Sequence, residues 1–406
     1  MTAANSSVNI NNRDGKLDFI QALRGIAALM VVMLHTIQQQ NIPKDSGVYY
    51  WLFSGGGAGV PLFFIISGFI MAYSTRGVES SPKNSLIFLI KRLSRVWPTY
   101  AILTIIFWTT VTVVDDFLGA HFPYSILDVL VSILFIPLNM DSALAPLLGG
   151  SALYPGWSLN YEIYFYALFA FSMVFMRLKW LIFFSLIATT LIVLPLIYGS
   201  TPSLDARVNY GFKSYLALLT SPLIWEFAAG VAIGLIYFSK FKIENKSFAI
   251  FLCTITAAIV VWANLSKLSF GMGLNGWGWS LTLMFFALTI ASKTVHLKFP
   301  AWLIWVGNIS YSLYLIHPFF VKPVFDVLWE TSLREYIRDP SFSLVVVGLS
   351  IFFAALSHKY LEVRLSDFVR NKLLGYVNRG SREEVELVRP SAIPISKAGA
   401  NMVNSG

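Results

Sequence analysis

The chain has 406 residues, of which 56% are hydrophobic and 13% are charged, and its formal net charge is +9. Because a soluble protein carries about 25% charged residues, this composition excludes a soluble enzyme and predicts an all-α, polytopic membrane protein. Most basic residues lie in short loops and near the carboxyl end, where they determine topology, so no nucleic-acid partner is predicted. The single cysteine, Cys253, allows no internal disulfide and no thiolate metal cluster, and we expect no metal site.

The first hydrophobic segment, Phe19 to Ile37, is long enough to cross a bilayer as a helix, yet it contains Arg24 and His35. An ionisable side chain at mid-membrane costs about 2.5 kcal/mol or more, so two in one segment indicate a function. Their spacing places both on one face of the helix, about 16 Å apart along its axis. The alternative interpretation is structural: Arg24 would reach the lipid headgroups and His35 would cap the helix.

Nine further apolar segments predict membrane spans, at residues 60–73, 96–114, 159–176, 180–198, 215–238, 248–265, 274–292, 302–321 and 342–356. Another run, at residues 126–138, is short for a spanning helix. If this run does not cross, most of the 30 lysines and arginines lie on one side of the membrane. We therefore predict about ten spans, with eleven as the alternative, and both termini in the cytoplasm. Residues 1–16 and 370–406 are predicted to be cytoplasmic tails, and the second of these to be disordered.

Four charged side chains in or directly before the later spans need an explanation. Arg92 and Arg95 in KRLSRVWPTY are three residues apart, so they are neighbours on a helix and suit phosphate or carboxylate recognition. A topology signal without a ligand is the alternative. In WSLNYEIYFY, Glu162 lies one turn into a span and needs a partner or a polar cavity. Glu226 lies near the middle of its span, where a protonated and hydrogen-bonded acid is the simpler interpretation.

The ninth span contains a second set of polar side chains. In WVGNISYSLYLIHPFF, Tyr314 and His317 share a helical face, and Ser310 and Tyr311 lie about one turn earlier.

Five segments together resemble the acyltransferase 3 family of integral membrane O-acyltransferases. The segments are LDFIQALRGIAALMVVMLHT, PLFFIISGFIMA, RLSRVWPTY, WSLNYEIYFY and ISYSLYLIHP, and they occur in the family's order and spacing. The resemblance is greatest to stand-alone bacterial enzymes that acetylate exopolysaccharide or lipopolysaccharide O-antigen. It implies a membrane domain over residues 17–369, and we expect no additional periplasmic hydrolase-like domain.

The resemblance implies transfer of an acetyl or other short acyl group from cytoplasmic acyl-CoA to a sugar hydroxyl, in a polysaccharide or a lipid-linked oligosaccharide. Acetyl-CoA would be a co-substrate, and no permanently bound cofactor is expected. Arg24, Arg92 and Arg95 would bind the acyl-CoA, and His35 would act as base or nucleophile. Glu162 would orient the imidazole or bind the sugar. The expected saccharide-binding residues are Trp157, Tyr161, Tyr314 and His317.

Two alternatives come from other functional classes. A transporter or flippase of a polysaccharide precursor would also contain buried ionisable residues, but it would more often show repeated halves with interrupted helices. A scaffold within polysaccharide synthesis or export machinery would not need the histidine and arginine pattern. An acyltransferase in the bacterial inner membrane therefore remains the principal prediction.

Overall fold

The computed structural model describes residues 17–43, 47–120, 122–138, 150–266 and 271–388, and these residues are helical or form connections. Isolated bridges join Leu138 to Gly150 and Asp205 to Gly273, but the described residues form no β-strand. Within the described residues, seven helical stretches are long and apolar enough to cross a membrane. The fold is therefore all-helical and consistent with the predicted polytopic membrane protein. The predicted tail at residues 1–16 lies outside the described part of the chain.

The helices are listed here in chain order. They are α1 Asp18–Gln39, α2 Val48–Ser54, α3 Gly59–Ser74, α4 Pro82–Phe117, α5 Ile126–Ile133, α6 Gly156–Val174, α7 Lys179–Ala188, α8 Leu194–Ile197, α9 Ser214–Leu219, α10 Ile224–Phe238, α11 Lys246–Ser266, α12 Trp279–Ala291, α13 Ala301–Asn308, α14 Ser310–Ile316, α15 Pro318–Val321, α16 Pro323–Trp329, α17 Arg334–Arg338, α18 Phe342–Ser357 and α19 Ser366–Val388. Wider π-helical turns continue α7 into α8, precede α12 and join α18 to α19.

Helix α1 is central to the bundle, where it packs against α3, α13, α14 and α18. Close approach between helices depends on glycine. A Cβ atom at Gly59 would lie 2.5 Å from the carbonyl oxygen of Ala27 in α1, and one at Gly68 would lie 2.2 Å from that of Phe227 in α10. Small residues allow this spacing between membrane helices. Helix α3 is thereby held between α1 and α10.

Two predicted spans are interrupted. The span at residues 215–238 consists of α9 and α10, separated by a turn that contains Pro222. Proline lacks an N–H and disfavours the helical conformation of the residue before it, which explains this break. The span at residues 302–321 consists of α13, α14 and α15, with His317 at the end of α14. At the second break, His317 lies within hydrogen-bonding distance of His35 in α1.

The remaining observations concern segments outside the core. Helix α5 has eight residues, and at 1.5 Å per residue it is far too short to span about 30 Å of hydrocarbon. Helix α4 has 36 residues, which is longer than a span requires, and α19 packs against it. The tail from residue 370 is predicted to be disordered. In the structure its first part belongs to α19, which continues to Val388. Composition alone does not predict this packing of α19 against α4.

Candidate active site

A buried cavity of about 90 Å³ lies where α1, α3, α4, α6 and α14 meet. Its charged lining consists of Arg24 from α1, Arg92 and Arg95 from α4, and Glu162 from α6. The other polar lining residues are Ser67, Ser158, Tyr166, Ser310, Tyr311 and Tyr314. Polar residues from five helices that are distant in sequence therefore converge on one space within the bundle, whose remaining wall is apolar.

The three arginines are incompletely neutralised. Arg24 is only 9% exposed, and none of the three forms an ion pair with a carboxylate among the described residues. Arg92 donates a hydrogen bond to the Ser74 hydroxyl, and its guanidinium lies 5.4 Å from the centre of the Phe88 ring. Buried guanidinium groups are costly unless an anion accompanies them. The cavity is therefore built to receive negative charge.

Two carboxylates lie near the arginines but are engaged with other groups. Glu162 accepts hydrogen bonds from Tyr166 and, at 3.3 Å, from Ser67. Glu362, in the turn after α18, accepts from Ser312 at 2.8 Å and lies 2.9 Å from the Nδ1 atom of His358. Both carboxylates interact electrostatically with Arg95 at longer range. Three guanidinium groups thus outnumber two carboxylates, and the local excess of charge is positive.

His35 and His317 form a hydrogen-bonded pair beside this cavity. The Nδ1 atom of His35 is 2.9 Å from the Nε2 atom of His317, and the two ring planes differ by 7°. The ring of Tyr154 stands edge-on to both imidazoles, with centroids 5.2 Å from His35 and 5.9 Å from His317. From the sequence, Glu162 is expected to orient His35 or bind the sugar. In the structure His317 lies next to His35 instead, and Glu162 lies among the arginines.

Tyr314 connects the cavity to the histidine pair. Its ring lines the cavity, its centroid is 6.0 Å from that of His317, and its hydroxyl is 2.8 Å from that of Ser158. Ser310, which is fully buried in the cavity wall, has a hydroxyl without a hydrogen-bond partner among the described residues. A ligand anchored by the arginines therefore meets polar groups along the way toward His317.

Trp157 and Tyr161 do not line the cavity. Trp157 is 8% exposed and Tyr161 is 1% exposed, and their rings pack edge to face within the main hydrophobic core. This burial supports a packing role for both. Glu226 is fully buried, and one of its oxygens accepts a hydrogen bond from the Gly273 N–H at 3.0 Å. That bond ties α10 to the turn before α12 and agrees with the simpler, hydrogen-bonded interpretation of Glu226.

Sequence reasoning missed three residues that complete the site. Tyr154 and Tyr166 belong to an aromatic segment in which nothing local distinguishes them from core residues. Glu362 had a detectable signal, because His358 and Glu362 are four apart in HKYLE and such spacing brings two side chains together on a helix.

Comparison with known proteins identifies the family to which this site belongs. The family profile described as "Acyltransferase domain" matches residues 17–359, and this range includes every cavity residue named above. The chain belongs to the acyltransferase 3 family. The acyltransferase domain thus extends from the start of α1 into the turn after α18, so the bundle around α1 is the acyltransferase itself.

One relative matches most of this chain and most of its own length. The exopolysaccharide production protein ExoZ of Rhizobium meliloti (strain 1021) is 30% identical over 281 residues, which cover 67% of this chain and 78% of ExoZ. No solved structure shows significant similarity to the chain.

Proposed function

We propose that this acyltransferase moves an acetyl or other short acyl group from cytoplasmic acyl-CoA to a sugar hydroxyl. The proposed acceptor is an exopolysaccharide, a lipopolysaccharide O-antigen or their lipid-linked precursor. The observation that carries the proposal is a cavity lined by three arginines, none of which forms an ion pair with a carboxylate among the described residues. One of them, Arg24, lies on the same helix as His35. The name of the relative ExoZ supports an exopolysaccharide as the acceptor.

The arginine cavity suits the donor. Acyl-CoA carries several phosphate groups, and arginine binds phosphate with two parallel, charge-assisted hydrogen bonds. Its long, thin pantetheine arm would extend past Ser310 and Tyr314 and bring the thioester toward the histidine pair. Sites for drug-sized ligands usually enclose about 300–1,000 Å³. A cavity of about 90 Å³ is smaller, so we expect α1, α3 and α4 to separate slightly when the donor binds.

His35 supplies the chemistry in this proposal. A neutral imidazole removes a proton from the acceptor hydroxyl as it attacks the thioester, or forms a transient acyl-imidazole, and such catalysis contributes about 10²- to 10⁴-fold. Two of the expected saccharide-binding residues, Tyr314 and His317, lie at this level of the bundle. Glu162 is better placed to orient Tyr166 and balance the arginines than to touch His35.

The proposed topology has ten spans with both termini in the cytoplasm of a bacterium, and places the protein in the inner membrane. The short length of α5 supports this topology, because eight helical residues do not cross a bilayer. In that arrangement Arg24, Arg92 and Arg95 face the compartment that contains acyl-CoA, and His35 lies nearer the outer surface. An acceptor outside the membrane, and the machinery that makes or exports it, would be reached from that surface.

The decisive experiment is transfer by the purified protein in lipid nanodiscs, with radiolabelled acetyl-CoA and polysaccharide from a deletion strain. We expect label in the polysaccharide and release of free CoA. His35→Ala should insert normally and reduce transfer by about 10²-fold or more, because the general base is lost. His296→Ala, which alters an exposed loop histidine, is the matched control.

A transporter would give a different result. In that case the deletion strain would accumulate an already acylated precursor, and the nanodisc protein would release no CoA. Full transfer by the His35→Ala protein would also contradict the proposed role of His35.

A further inference from the structure

The hydrogen bonds of His317 determine which of its ring nitrogens carries a proton. Its Nδ1 atom lies 3.2 Å from the carbonyl oxygen of Leu313. A carbonyl oxygen only accepts hydrogen bonds, so Nδ1 of His317 carries the hydrogen. His317 is fully buried, and no carboxylate among the described residues bonds to it, which makes a charged ring costly. In the neutral ring Nε2 is therefore an acceptor.

This acceptor in turn fixes the proton on His35. Nε2 of His317 is 2.9 Å from Nδ1 of His35, so Nδ1 of His35 must be the donor. Nε2 of His35 then has a free lone pair. His35 is partly exposed, whereas His317 is fully buried. His35 is therefore the ring that another molecule can reach.

We propose that His317 is a positioning residue that holds His35 in the Nδ1–H tautomer and so presents Nε2 of His35 to the acceptor hydroxyl. The inference rests on the proposed function and gives His317 a role other than saccharide binding. It also explains why His35 has no carboxylate partner among the described residues. A neutral imidazole with a fixed acceptor nitrogen performs the orienting task that a carboxylate performs in other acyl-transfer sites.

The reaction balances with these groups. The acceptor oxygen attacks the thioester carbonyl carbon, and its proton passes to Nε2 of His35. The new carbon–oxygen bond forms, the carbon–sulfur bond breaks, and the CoA thiolate takes the proton from Nε2 to leave as a thiol. While His35 is an imidazolium, its Nδ1–H donates a stronger, charge-assisted hydrogen bond to His317. His317 thus stabilises the charged stage without itself losing or gaining a proton.

The first test compares two substitutions of His317. In His317→Gln, the side-chain oxygen Oε1 can occupy the place of Nε2 and still accept from His35, whereas His317→Ala removes the acceptor. A catalytic histidine in the wrong tautomer loses about 10⁴-fold in serine proteases. We expect kcat to fall about 10²- to 10⁴-fold in the alanine variant and to recover at least tenfold in the glutamine variant, with an unchanged KM for acyl-CoA. His296→Gln, in the exposed loop, is the control and should keep full activity.

Equal loss of kcat in both variants would overturn the inference, since it would mean that His317 must itself transfer a proton. A raised KM for the saccharide with unchanged kcat would also overturn it, in favour of saccharide binding.

The second test needs no activity and so separates this inference from the proposed function. The chain contains five histidines, which makes selective ¹⁵N-histidine labelling and assignment by single substitution practical. We expect both His35 and His317 to show a protonated Nδ1 and an unprotonated Nε2 at neutral pH. An Nε2–H tautomer at His35 would refute the tautomer assignment even if the protein transfers acyl groups. The expected tautomers in a protein that transfers no acyl group would instead refute the proposed function alone.

Discussion

Replacement of Arg92 or Arg95 by alanine tests the donor site most directly. Both guanidinium groups line the cavity and form no ion pair with a carboxylate among the described residues. A hydrogen bond to a charged group contributes about 1.5–3 kcal/mol, and every 1.4 kcal/mol changes an affinity tenfold. Each substitution should therefore weaken acyl-CoA binding by about 10- to 150-fold. Lysine should restore only part of the affinity, because it lacks the planar fork of arginine.

When acyl-CoA is absent, the same substitutions should not destabilise the protein. Three neighbouring cations, of which Arg24 is buried and Arg92 and Arg95 are partly buried, repel one another, and removal of one relieves both repulsion and desolvation. We expect the melting temperature of the ligand-free variants to be unchanged or raised. Saturating acyl-CoA should raise the melting temperature of the wild-type protein. This rise should be smaller in the variants, because stabilisation by a ligand follows its affinity. Purified protein in nanodiscs allows both measurements, by titration calorimetry and by thermal unfolding.

Two controls make this prediction specific. Arg177→Ala removes an exposed arginine that the cavity does not include, and it should leave acyl-CoA affinity unchanged. An acyl-CoA analogue without the 3′-phosphate identifies the group that is bound, since an arginine that contacts this phosphate should matter less for the truncated donor. If both the Arg92 and Arg95 variants bind acyl-CoA as tightly as the wild type, the two residues are topology signals and the donor site lies elsewhere.

Two further predictions concern packing and topology. Gly68→Ala should lower the yield of folded protein, because the new Cβ would lie 2.2 Å from a backbone oxygen. Thermal unfolding should show a loss of stability of about 1–3 kcal/mol. Gly348→Ala, whose Cβ meets no atom within 4 Å, should be neutral, and equal behaviour of the two variants would contradict the packing argument. In a Cys253→Ser background, a cysteine replacing Thr201 should react with an impermeant maleimide on intact cells, and one replacing Lys242 only after the membrane is opened. The reverse pattern would exclude the ten-span topology.

The sequence by itself determined the class of fold and which polar side chains are neighbours within a single helix. Apolar runs of membrane length require helices, because backbone groups in lipid must be hydrogen-bonded within the segment. The 3.6-residue period places Arg24 and His35 on one face of α1, and Arg92 next to Arg95 on α4, without any tertiary information. In the structure the three arginines line one cavity.

Only the tertiary structure decided which side chains meet across helices. His35 and His317 are 282 residues apart, and no periodicity within either helix encodes their contact. The same holds for Glu162, whose segment predicts a need for a partner but leaves Ser67 and Tyr166 indistinguishable from other candidates. The packing of α19, the helix that continues to Val388, against α4 is likewise a contact between segments distant in sequence. The physical reason is that spacing along one helix determines only the direction in which each side chain points from it. Contact between helices depends on how closely small residues such as Gly59 and Gly68 let the helices approach.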